Sequence, residues 1–157
     1  MKVYTTLKNT CLSFVLISMA IISFSSCEKE EINIISNIPE IELISVSADT
    51  IVQFEEFLTL SISYKDGDGD LGFEETDRYA LFIRDIRLEE FDGFYLGPIL
   101  PPGQVAPIIG ELNVEFPDLF IFGNGESETT RFEIKVVDRS MNESNILVTE
   151  DILIVKP

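Results

Sequence analysis

"FLTLSISYKDGDGDLG", residues 57–72, changes character halfway along. Up to Tyr64, apolar and polar residues alternate: Leu58, Leu60, Ile62 and Tyr64 fall on one face, Thr59, Ser61 and Ser63 on the other. Period two is the pattern of a half-buried strand, because successive side chains point to opposite sides of a sheet. From Asp66 onward three aspartates alternate with Gly67 and Gly69. Three carboxylates so close in sequence repel one another unless something offsets their charge. The first half of the stretch decides the fold, and the second half raises the question of a site.

The alternation recurs along the chain. EIELISVS (40–47) places Ile41 and Leu43 on one face and, after a shift of phase, Ile44 and Val46. YALFIRDIRL (79–88), FYL (94–96) after an Asp92-Gly93 turn, IIGELNVEF (108–116), LFIF (119–122), TRFEIKVVD (130–138) and NILVTEDILIVK (145–156) read as further strands. PILPPGQVAP (98–107) carries four prolines and is excluded from any central strand, because proline cannot donate to the ladder. No helix-period stretch follows residue 27. About seven short strands separated by Gly, Asp and Asn turns predict an all-β chain, a single immunoglobulin-like antiparallel β-sandwich of two sheets over residues 40–157. A barrel of the OB type, with fewer strands, is the competing architecture.

The N-terminus reads as an export signal. Lys2 and Lys8 precede the apolar stretch CLSFVLISMAIISF (11–24), then Ser25, Ser26 and Cys27. Such a basic, apolar, small-residue order is that of a secretory signal, and the stretch falls short of the ~20 apolar residues a membrane span needs. A cysteine closing the signal points to lipidation at Cys27. Residues 1–26 are therefore expected to be a lipoprotein signal peptide and residues 27–39 a lipidated cysteine with an acidic tether. A chain of 157 residues less that signal suits one domain.

Charge and residue usage exclude much chemistry. The full chain has a formal charge of −17, and loss of Lys2 and Lys8 makes it two units more negative. Such a surface repels nucleic acid and anionic head groups and attracts cations. There is no histidine, and the two cysteines are Cys11 and Cys27. Ser-His-Asp and Cys-His catalysis are ruled out, as are His or Cys sites for zinc or copper. Oxygen donors remain.

Alternating aspartates suit calcium, which takes 6 to 8 oxygens in a flexible shell. Asp66, Asp68 and Asp70 match positions one, three and five of an EF-hand loop, with Glu74 and Asp77 at nine and twelve. Leu71 stands where that loop turns on glycine, and strands rather than helices flank it, so a calcium loop between strands is expected and an EF-hand is not. The strands 57–64 and 130–138 should run the same way, bringing KDGDGDLG beside DRSMNESN. Asp138 and Asn142 would then complete the shell, with Glu74, Glu75 and Asp77 as alternates. Arg139 is the competing partner: a salt bridge to the cluster would remove the need for a metal. Glu89, Glu90 and Asp92 offer the carboxylates of a glycosidase, but chance pairs abound in so acidic a chain and a solvated loop is the better reading. Phe91, Phe94 and Tyr95, beside the proline-rich loop, offer an exposed surface for a glycan or peptide, but burial between the sheets is the more common place for such residues and is the one expected.

Four features together carry a resemblance: the signal, CEKEE after it, YKDGDGDLG after an early strand, and VVDRSMNESN before the last one. They resemble Bacteroidetes lipoproteins with an immunoglobulin-like or fibronectin-type sandwich, and CEKEE is similar to the export signal of their surface-exposed members. The resemblance implies an outer-membrane, lipid-anchored, surface-exposed location and no particular reaction. The function expected is a non-catalytic binding or accessory module with a structural calcium ion and a glycan or protein partner at the cell surface. The alternative is a small carboxylate-based hydrolase.

Overall fold

Along the strand β3 (Leu58–Asp66), the side chains of Leu58, Leu60, Ile62, Tyr64 and Asp66 are buried in turn, while those between them are half-buried. The computed structural model describes residues 35–116 and 119–157; the signal, Cys27 and most of the acidic tether lie outside the described residues. The described chain is all-β and sandwich-like, with ten strands and no helix among the described residues. Besides β3 these are β1 (Glu40–Val46), β2 (Thr50–Val52), β4 (Leu81–Asp85), β5 (Asp92–Phe94), β6 (Ile108–Phe116), β7 (Ser127–Thr130), β8 (Phe132–Val136), β9 (Leu147–Val148) and β10 (Ile152–Val155).

They form three sheets, in the orders β1-β3-β6, β2-β10-β7 and β5-β4-β8-β9. The phase shift in 40–47 is a break of register between Leu43 and Ser45 in the β1–β3 pairing, with Ile44 about half exposed at the irregularity. One core runs through all three sheets: Ile41, Leu60 and Ile62 from the first, Ile51 and Ile154 from the second, Ile83, Ile134 and Val136 from the third. Each such side chain contributes roughly 1.5–3 kcal/mol by leaving water.

Ten strands replace the expected seven, and three sheets the expected two: the chain bends at two corners, and β2 and most of β7 stand where no strand was expected. The segment 127–136 pairs in one sheet as β7 and in another as β8, with Arg131 at the corner, so only Thr130 of the expected strand 130–138 belongs to β7. The segment 145–156 does the same between β9 and β10. The two bends lie side by side: Phe132 and Thr149 exchange backbone and hydroxyl hydrogen bonds, and Arg131 pairs with Asp151. Strands that switch sheets at a corner are a common way of closing a sandwich. Further expectations are corrected. Residues 119–122 form no strand, and the short strand β2 pairs parallel to β10, so the sandwich is not wholly antiparallel. β5 begins at the Asp92-Gly93 pair itself, expected to be a turn. Phe94, at the end of the edge strand β5, and Tyr95, just beyond it, are exposed and not packed between the sheets.

Candidate cation site

The burial of Asp66 follows from register. It is the fifth residue in an inward row whose other members are apolar, so the pleat carries its carboxyl to the interior. Asp66 is 0 % exposed. The loop then turns back through Asp68 and Asp70, and oxygens of all three aspartates lie within 4.8 Å of one another. Gly69 makes the turn possible: its φ of 72° lies in the left-handed region, where a side chain costs energy.

The cluster is short of donors. Among the described residues no hydrogen-bond partner reaches either oxygen of Asp66, Asp68 Oδ1 or Asp70 Oδ1, and all four atoms are buried. Burial, followed by the negative charges of Asp68 and Asp70, pushes the Asp66 carboxyl up to about 6. Burial also raises Asp70, helped by the charges of Asp138 and Asp68 and opposed by the Ser140 hydroxyl and Arg139. An ionised carboxylate buried without partners is costly. A cation within reach of all three would remove that cost.

The loop after β8 lies against the acidic loop. Leu71 and Asp138 form an isolated antiparallel bridge, the Arg139 amide donates to the Asp70 carbonyl at 3.1 Å, and the Ser140 hydroxyl donates to Asp70 Oδ2 at 2.7 Å. Asp138, like Asp66, follows an inward row, that of Phe132, Ile134 and Val136, and is fully buried. Its carboxylate is otherwise engaged. The Asn142 amide donates to Oδ1 at 2.7 Å and the Asn142 side chain to Oδ2 at 2.9 Å. Asp138 and Asn142 thus stabilise their own turn, and the group whose oxygens lie within 4.8 Å of one another is Asp66, Asp68 and Asp70. Glu74, Glu75 and Asp77 are exposed and do not join it; Glu75 faces Arg78 at 4.0 Å.

Arg139 does not neutralise the cluster by a salt bridge. Its guanidinium donates to the carbonyls of Leu100 and Gly69, both at 3.3 Å, and so ties backbones together. The carboxylates considered for glycosidase chemistry, Glu89, Glu90 and Asp92, are exposed around β5. An arginine centre that composition did not reveal lies elsewhere. Arg87 contacts Asp85 through a bidentate pair, reaches Glu128 at 3.1 Å and stacks over Phe122 at 4.0 Å, while Thr130 donates to Asp85. It holds the β7–β8 corner and is structural. Comparison with protein-family models, curated proteins and solved structures returns no match. The fold and site define a class only: an all-β sandwich-type domain with a three-aspartate loop whose first aspartate is buried.

Proposed function

We propose that this chain is a lipid-anchored, non-catalytic binding or accessory module of the cell envelope, stabilised by calcium bound at Asp66, Asp68 and Asp70. The observation that carries the calcium reading is Asp66: a fully buried carboxyl, both oxygens without a partner, set within 4.8 Å of two more carboxylates. Hard oxygens grouped this way suit calcium better than magnesium, which demands a stricter octahedron and keeps its water. The affinity expected is that of extracellular modules, ~10⁻⁴ to 10⁻³ M.

The envelope location rests on the order of residues in 1–27 and on CEKEE, and the kinship on the resemblance to Bacteroidetes outer-membrane lipoproteins. An immunoglobulin-like description of the sandwich belongs to the same proposal. It is supported by the loops after β3 and β8 meeting at one end, as the B–C and F–G loops of that fold do. Exposed Phe94 and Tyr95 on an acidic surface favour a neutral glycan or a protein as partner over nucleic acid. Isothermal titration of the mature chain with calcium and with magnesium tests the central element. Calcium heat saturating at one ion per chain, with magnesium weaker, is expected; no calcium heat overturns it.

A further inference from the structure

The calcium reading leaves the coordination sphere incomplete. Three carboxylates provide three to six oxygens where calcium takes 6 to 8. The turn after β8 is not the obvious source, since Asp138 and Asn142 are bonded to one another, Ser140 to Asp70, and Arg139 to two carbonyls. The other wall of the loop is the segment Ile35–Asn37, which enters β1.

Gly67, between Asp66 and Asp68, donates its N–H to the Ser36 carbonyl at 2.7 Å. A Cβ on Gly67 would stand 2.8 Å from both Asn37 Oδ1 and the Ser36 carbonyl carbon, and would overlap the Ile35 carbonyl oxygen. The φ of Gly67 is not left-handed, in contrast to that of Gly69. Glycine is needed here for room. Two neutral oxygens, the Ile35 carbonyl and the Asn37 side chain, therefore press against the residue that separates two of the carboxylates.

We propose that the segment Ile35–Asn37 closes the cation site, with Asn37 Oδ1 and the Ile35 carbonyl joining Asp66, Asp68 and Asp70 around the ion. This rests on the calcium reading and deepens it. Neutral carbonyl and amide oxygens are the donors calcium commonly adds to carboxylates. An ion held from both sides fastens the chain that precedes β1 to the sandwich.

The test uses the full mature chain. Hydrogen exchange at the Gly67 amide is measured in calcium and in chelator, and calcium affinity is measured for wild type, Asn37→Ala and Gly67→Ala. Calcium is expected to slow Gly67 exchange about tenfold or more, and Asn37→Ala to weaken calcium binding by about tenfold. Asn37→Ala should melt with wild type in chelator, which separates a lost ligand from a damaged fold; Gly67→Ala should bind more weakly still. Wild-type affinity in both variants, or Gly67 exchange indifferent to calcium in a chain that binds it, overturns the clamp and leaves the calcium site standing. Absence of calcium binding by wild type overturns both.

Discussion

Leu71 and Asp138 pair as an isolated antiparallel bridge, and this pairing fastens the loop after β3 to the turn after β8. The two strands belong to different sheets. The acidic loop is thus braced from both sides of the sandwich, so a ligand held there acts on the stability of the whole domain. Because only the folded state gathers the three aspartates, binding energy adds to folding energy.

Without a cation, stability should fall as pH rises from 4 to 7. The folded Asp66 carboxyl titrates at about 6 against an ordinary 3.8. A raised pKa means that the folded state binds the proton more tightly, so its advantage is complete below the unfolded value and is lost as pH passes 6. The share carried by Asp66 is the part that a neutral side chain at that position removes. Urea unfolding in chelator, for wild type and Asp66→Asn, measures it. Wild type should lose more than the variant over this range; parallel curves would contradict the assignment.

Part of this was legible in the chain. The alternation Leu58, Leu60, Ile62, Tyr64 extends by one step to Asp66, and Phe132, Ile134, Val136 extends likewise to Asp138, so both buried aspartates stand where period two puts them. A reading that ends a strand at its last apolar residue stops one step early. The corner at Arg131 was not legible, because Thr129, Thr130, Arg131 and Phe132 keep strand-like composition through the bend. What turns the chain there comes from afar: Asp85 on Thr130, and Thr149 on Phe132. Engagement of Asp138 by Asn142 was equally hidden, since four residues of a turn permit several hydrogen-bond patterns. Nor does any periodicity in residues 28–39 mark Ser36 as the acceptor for Gly67.

Asp85 offers a second titration of opposite sign. Burial works to raise its pKa, but hydrogen bonds from Arg87 and Thr130, with the Arg87 charge, outweigh it and hold the carboxyl below the ordinary value. Its stabilisation is present above the unfolded carboxylate range and is lost as pH falls through the folded value. Asp85→Ala leaves Arg87, whose side chain is 11 % exposed, short of its bidentate partner. Breaking such a pair costs about 3 kcal/mol. Chemical denaturation at pH 7 should show that loss, and it should shrink in Asp85→Ala combined with Arg87→Met. A loss under 1 kcal/mol in the single variant would demote the cluster to a surface contact.

The proposed lipid anchor places membrane attachment on one residue, Cys27. Fractionation of cells producing wild type or Cys27→Ala should find wild type in the outer membrane and the variant released from it. Equal membrane pools would rule out the lipid anchor.

The central claim, that the three aspartates hold calcium, is tested most directly by thermal melts of the mature chain in calcium and in chelator, for wild type and Asp66→Asn. At 100 times its Kd, calcium should stabilise wild type by roughly 2.7 kcal/mol, a rise of several degrees in Tm. Asp66→Asn should melt higher than wild type in chelator, because a buried repulsion is gone, and should gain little from calcium. Wild-type melting indifferent to calcium, or an equal gain in both proteins, would contradict the account.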